Sequence, residues 1–435
     1  MFASESQSST SNSDSAGAES AQVSAQQWKW SALAGMASYL DAGSIVALGA
    51  GLALFQIEFH LDNLAVGALT AIGPNAIGCA LGALIGGWLG DRLGRKRIYQ
   101  WDLLVYAAGI LAIAFAMSPM MLFTGTFVVG VAVGADVPTS LALVGEFAPA
   151  KARGKLLGFT QVAWCLGPVI VLWLAVALAP LGLLGIRIVF LHLFVVAMVT
   201  WALRRGLTES ARWKAAAGAA GAVRHQVGAL FRGANFRALA WTGTIYLFWG
   251  LAAGTAGIFN PYFIRTLNAG GQAASVALAS AGFIISLTVT ITVFMRHADR
   301  GHATRRRLWA TGAVMQGVAY ALFLVLPFSI PTIIANIALF AAGGSLAGEA
   351  FYKVFSQELF PTMLRGTAQG FTFGVARVML GIWSFFVPAL ASAGIAPVAG
   401  LLTLFLVVSG VVGYAFMPDT SGKSLEQIEA ERGGS

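Results

Sequence analysis

The sequence predicts an all-α integral membrane protein of twelve transmembrane helices, arranged as two pseudo-symmetric six-helix bundles. Three observations predict it. Of 435 residues, 57% are hydrophobic and 10% charged, whereas a soluble domain carries about 25% charged residues. Apolar runs of roughly 20 residues, enough to cross a hydrocarbon core, recur along the whole chain. Charged motifs in two loops of the first half return, in the same order, in the second.

The elements follow in order. Residues 1–28, rich in Ser, Ala and Gln, are expected to form a disordered cytoplasmic tail and lack the basic start and short apolar stretch of a cleaved signal. Spans at 29–56, 64–89, 99–117, 120–145, 156–178 and 182–203 form a first bundle, 29–203. A linker, 204–238, carries Arg204, Arg205, Arg212, Lys214, Arg224, Arg232 and Arg237. Spans at 239–262, 272–295, 308–327, 332–353, 367–391 and 395–417 form the second bundle, 239–417, and 418–435 is a cytoplasmic tail. Each run is expected to be helical, because hydrocarbon offers no partner for backbone N–H and C=O groups.

Orientation follows from Lys and Arg. With a cytoplasmic N-terminus, 23 of the 27 fall on the cytoplasmic side, Arg187 and Arg265 on external loops, and Lys353 and Arg377 inside spans. Both termini are then expected in the cytoplasm, with the chain a multi-pass protein of the cell (inner) membrane. The net charge of +9 is spread over short loops rather than on a domain able to grip a duplex, which argues against a nucleic-acid partner. Cys79 and Cys165 fall inside apolar runs and are expected to be packing residues, not a disulfide.

The repeats are specific. Glu146-Phe-Ala-Pro149-Ala-Lys-Ala-Arg153-Gly154 and Glu358-Leu-Phe-Pro361-Thr-Met-Leu-Arg365-Gly366 both spell E-x-x-P-x-x-x-R-G, 212 residues apart. Asp91-Arg92 followed by Arg95, Lys96 and Arg97 returns as Asp299-Arg300 followed by Arg305, Arg306 and Arg307, 208 residues apart. Parallel repeats of this kind place a transport site at the midplane between the halves. Carboxylates and arginines at helix ends on one face either follow from topology alone or form a latch that holds that face closed; their repetition in both halves favours the latch.

Gly90-Asp91-Arg92-Leu93-Gly94-Arg95-Lys96-Arg97 resembles the signature loop of the major facilitator superfamily. The two E-x-x-P-x-x-x-R-G loops, Glu209-Ser210-Ala211-Arg212-Trp213 and Pro418-Asp-Thr-Ser-Gly422-Lys423 resemble its sugar porter branch. The resemblance runs from about residue 29 to 429. It implies a secondary transporter working by alternating access. It also implies Asp41 as the proton-coupling carboxylate of helix one, and Gln161, six residues before Gly167, as a sugar contact. Other positions depart from the branch. Its helix-four Arg falls on Thr126, and helix four instead carries Asp136 in Gly134-Ala-Asp136-Val-Pro138, which is similar to phosphate–proton symporters. The helix-seven Gln pair falls on Phe248 and Trp249, the Asn on Gly254, and the helix-ten Gly and Trp on Glu349 and Lys353. Most of a hexose pocket is absent, which points away from glucose.

Charge inside a bilayer is costly and functional by default. Asp41 and Asp136 are the candidate proton carriers, Asp136 at roughly 15 Å from the cytoplasmic helix end by the helical rise. Glu349 and Lys353, four apart, share a helix face. They either neutralise one another, or Lys353 and Arg377 recognise an anionic group. Arg377 is equally open as the partner of Asp41. Gln161, Trp164, Trp249 and Asn260 complete the candidate binding set. Phe259, Tyr262, Tyr352 and Trp383 are further aromatics able to stack on a ring or to pack. Asn260-Pro261 should loosen helix seven, since Pro removes a backbone donor. His192 and His225 have no ligand arrangement. No H-E-x-x-H, Cys–His cluster or phosphate-cradling G-x-x-x-x-G-K run appears, so no enzyme and no cofactor is expected. The short tails argue against a nutrient sensor. The expected partners are a small polar solute (sugar, polyol, or sugar or organic acid), protons and lipid. The carrier is a proton symporter or an uncoupled facilitator or exchanger, acting as a monomer.

Overall fold

The computed structural model describes residues 23–219, 227–266, 272–391 and 394–433, leaving aside the side chains at 63, 219, 258–266, 272–275, 388, 389 and 433. The first half comprises α1 (Ala25–Glu58), α2 (Asn63–Ile72), α3 (Ile77–Leu93), α4 (Arg95–Ala114), α5 (Pro119–Phe147), α6 (Arg153–Ala177) and α7 (Leu183–Arg204). The linker holds α8 (Ala211–Ala219). The second half comprises α9 (Gly233–Thr266), α10 (Gln272–Val289) with a π-helical turn Thr290–Phe294 and α11 (Met295–His297), then α12 (His302–Val325), α13 (Ile330–Leu346), α14 (Glu349–Glu358), α15 (Arg365–Ala391) and α16 (Ile395–Ala415). The C-terminal tail forms α17 (Leu425–Gly433). Ten spans in the described residues are long and apolar enough to cross a membrane. With α4 and α9 they make up the twelve expected.

Three sequence expectations need correction. Helix α1 begins at Ala25, with Ser24 and Gln27 forming a reciprocal cap, so 25–28 belong to the first bundle rather than to the tail. Spans two and ten are each two helices: α2 and α3 part at Gly73–Ala76, and α13 and α14 part at Ala347–Gly348. An apolar run reports burial in lipid, not helix continuity. The breaks sit where Pro74 and the Gly343, Gly344 and Gly348 set relax the backbone. Arg204, assigned to the linker, is the buried last residue of α7. The C-terminal tail meets the linker, where Arg212 is bonded to Glu426 at 2.8 Å.

The halves meet along two seams, α3 with α15 and α6 with α10. The α3–α15 seam is a stripe of small residues that lets backbones touch. A Cβ added at Gly370 would collide with the Ala83 carbonyl, and one at Gly87 with that of Gly366. Gly370→Ala should therefore force this seam open. With spin labels on the tail-side ends of α3 and α15, pulsed EPR should show a short-distance population in the parent protein and a longer one in the variant. An unchanged distribution would refute the seam's role in closure.

Candidate functional site

The face that bears both tails is sealed by two matching latches. Asp91, at the end of α3, accepts from the Gly366 (3.1 Å) and Thr367 (2.6 Å) amides and from the Thr367 hydroxyl (2.7 Å). Asp299, in the corresponding loop of the second half, accepts from the Gly154 and Lys155 amides, both at 2.8 Å. Each repeat carboxylate thus caps the first turn of a helix in the other half, where backbone donors and the helix dipole favour an anion. Burial pushes the Asp299 carboxyl above its ordinary range, while Arg305 and the two amides pull it back.

The repeat aspartates also face arginines of their own half, Asp91 with Arg95 at 2.9 Å and Asp299 with Arg305 at 3.6 Å, and the repeat glutamates pair across the halves. Glu146 meets Arg95 of its own half at 2.9 Å and Arg365 of the other at 3.3 Å. Glu358 meets Arg305 at 2.8 Å and Arg153 across the seam at 3.1 Å. Gly90 accepts from Arg95 at 2.7 Å through its carbonyl. Gly94 has φ +98, and a Cβ there would strike Glu209, whose carboxylate caps α4 through the Arg95 and Lys96 amides at 3.2 and 3.0 Å. Arg92 and Arg300, grouped with these motifs from sequence, are exposed instead. Arg92 lies over the Trp88 ring at 5.2 Å.

The opposite face is open. A vestibule of about 760 Å³ enters between the outer parts of α1, α2, α6, α7, α10 and α15, and its walls are mainly aliphatic. It shares Asn75, Phe283 and Leu380 with a deeper cavity of about 90 Å³ at mid-depth, lined also by Trp164, Tyr246, Trp249, Glu349 and Arg377.

Around that cavity the structure assembles most of the residues singled out from sequence. Asp41 is 1% exposed. Its Oδ2 accepts from Trp164 Nε1 at 3.1 Å and faces the Arg377 guanidinium at 3.7 Å. Arg377 also donates to Asn75 Oδ1 at 2.9 Å and lies over the Phe373 ring. The cation facing Asp41 therefore comes from the other half, not from helix four. Lys353 donates to Gln161 Oε1 at 2.7 Å, again across the halves, and faces Glu349 at 3.5 Å. Two carboxylates and two cations thus sit together, with their charges balanced.

Asp136 does not join them. It pairs with Arg204 at 3.0 Å inside the first bundle, beside Asp102 and Tyr99. Tyr352 is packed in the second half, its hydroxyl on Thr372 and its ring on Tyr246, and Trp383 bonds Thr255. The side chains of Asn260, Phe259 and Tyr262 lie outside the described residues, as does His225. His192 bonds the Tyr39 hydroxyl at 2.8 Å. Cys79 and Cys165 are buried and not disulfide-bonded. Sequence reasoning missed Asn75 and Tyr246. The Gly73-Pro74-Asn75 run inside an apolar span was the available cue for the first. Nothing in the local sequence marks the second.

Two parallel half-bundles, sealed on one face and open on the other over a buried, charge-lined cavity, define a multi-pass solute transporter. The Major Facilitator Superfamily model matches residues 31–382, and the chain belongs to that superfamily, as a member of sugar-porter type. It is 38% identical over 413 residues to the "Minor myo-inositol transporter IolF" of Bacillus subtilis, covering 92% of this chain and 93% of that one. It is 28% identical over 364 residues to the "Probable 4-methylmuconolactone transporter" of Cupriavidus pinatubonensis, covering 79% and 81%. Among solved structures, the proton:xylose symporter XylE bound to 6-bromo-6-deoxy-D-glucose superposes with a TM-score of 0.78 at 18% identity, covering 93% of this chain and 99% of that one.

Proposed function

We propose that this protein is a proton symporter for a small neutral polyol, working as a single chain in the inner membrane with both termini in the cytoplasm. The observation that carries the reading is the pairing of Asp41 with Arg377 across the two halves, beside the cavity that Arg377 lines. A carboxylate gains or loses affinity for a proton when its neighbouring cation or its water changes. Here the neighbouring cation belongs to the half that must move. Rocking the halves therefore changes the surroundings of Asp41, which is the physical requirement for exchanging a proton once per cycle. The outward-open face loads Asp41 and the solute together. Opening the tail face must break the Lys353–Gln161 bond and both latches.

Charge balance selects the solute class. With Asp41 ionised, Asp41, Glu349, Lys353 and Arg377 neutralise one another, and a neutral polyhydroxylated solute adds no charge to the site in either protonation state of Asp41. The name of the myo-inositol relative supports the same class. The second reading is an organic acid. It is favoured by the guanidinium of Arg377 in the cavity lining and by the name of the methylmuconolactone relative.

The test is uptake into proteoliposomes with an acidic exterior, offering myo-inositol, xylose and muconate. The expected result is concentrative myo-inositol uptake, collapsed by a protonophore and accompanied by internal acidification. Uptake that only equilibrates would make the protein a facilitator. Concentration of muconate alone would establish the second reading.

A further inference from the structure

The break between α13 and α14 carries a second polar feature, behind the cavity wall. Trp249 lines the cavity, yet its Nε1 is buried and has no partner. It lies so close to the break that a Cβ on Gly348 would stand 2.6 Å from it. On α12, Gln316 is 2% exposed and donates through Nε2 to the Ala347 carbonyl at 2.8 Å and the Gly312 carbonyl at 3.3 Å. Two carbonyl partners fix the amide orientation, so Oε1 points the other way. That oxygen also has no partner. The two orphans face one spot. A methyl group added at Gly344 would have Gln316 Oε1 at 3.7 Å and Trp249 Nε1 at 3.8 Å as its nearest neighbours outside its own helix.

A buried donor and a buried acceptor without partners are each costly. A single hydroxyl oxygen satisfies both, because it accepts from one and donates to the other. A carboxylate or an ammonium would satisfy only one of them. We propose that Gly344, Gln316 and Trp249 form a hydroxyl-binding site, in which one O–H accepts from Trp249 Nε1 and donates to Gln316 Oε1. Water or a hydroxyl of the transported solute supplies it. Gln316 and Gly344 are then positioning residues that set the angle of the Trp249 ring at the cavity wall. Only the solute as source rests on the polyol reading given above.

The experiment uses the purified full chain and two variants, Gly344→Ala and Gln316→Leu. The Gly344→Ala methyl meets its neighbours at ordinary contact distance, so that variant should fold; the thermal transition serves as the control. Ultraviolet resonance Raman, differenced against Trp249→Phe, reads the hydrogen bond of the Trp249 indole without any transport assay. Spectra are taken with and without saturating myo-inositol. A bonded indole is expected in the parent protein, in both spectra if water supplies the hydroxyl and only with myo-inositol if the solute does, and a free one in Gly344→Ala. A free indole in the parent under both conditions, or no change in Gly344→Ala, overturns the proposal even if polyol transport is confirmed. KM values for myo-inositol and its monodeoxy analogues then identify the source. If the solute supplies the hydroxyl, one analogue binds about tenfold more weakly to the parent, and Gly344→Ala erases that difference. If water supplies it, the analogues rank alike in both proteins while the Raman difference remains. Both results uphold the site.

Discussion

Asp41→Asn is expected to leave a transporter that equilibrates its solute and no longer concentrates it. Asn matches a protonated Asp in shape and can still accept from Trp164 Nε1, so the cavity and its solute contacts should persist. What it lacks is a second charge state. Arg377 keeps a neutral partner, Asn75 of the first half, in the state described, and the cycle no longer carries a proton. For one proton per solute, each pH unit supports at most about tenfold accumulation, since 1.4 kcal/mol is a factor of ten. Across two units the parent protein should approach about a hundredfold, and the variant about onefold. Counterflow of labelled against unlabelled solute should survive in the variant, which separates lost coupling from lost folding. Concentrative uptake by Asp41→Asn would remove Asp41 from the coupling role and throw attention onto Glu349.

The order of the spans, their division and the duplicated loops were legible because hydropathy and charge are one-dimensional signals. Asp41, Gln161, Trp164, Trp249, Glu349, Lys353 and Arg377 stand out in a sequence because polar groups are rare in apolar runs, and the structure brings them to one depth. What pairs with what was not legible. Asp41 and Arg377 are on the first and eleventh spans, and no periodicity links them. The roles of Asp91 and Asp299 were hidden for a different reason. Pairing charges by sign finds the arginine each meets in its own half, but not the backbone amides each also binds at the start of a helix in the opposite half. The sequence signal for that partner is only the Arg-Gly that opens α6 and α15. Arg204 was misplaced because hydropathy ends a span at its first charge, although a guanidinium with buried partners extends the helix inside.

Arg204 is where the largest loss of stability is expected. It is fully buried and ties four helices together. Its guanidinium donates to the Leu33 carbonyl of α1 at 2.9 Å, pairs with Asp136 of α5 at 3.0 Å, and sits 3.6 Å above the Tyr99 ring of α4. Asp102 of α4 lies 3.9 Å away. Among the described residues it is the only cation paired with these two carboxylates, so Arg204→Leu leaves both uncompensated. Breaking a buried pair from one side costs about 3–5 kcal/mol. The variant should show a sharply lower thermal transition in detergent and a poor yield of monodisperse protein. Arg204→Lys should recover only part, because an ammonium cannot reach Leu33 and Asp136 with one planar fork. Adding Asp136→Asn to Arg204→Leu should restore stability relative to the single variant, because the pair is coupled and its losses are not additive. A transition in Arg204→Leu matching that of the parent would mean that packing alone holds α1, α4, α5 and α7 together. In that case Asp136, already apart from the cavity, would have neither a coupling role nor a structural one.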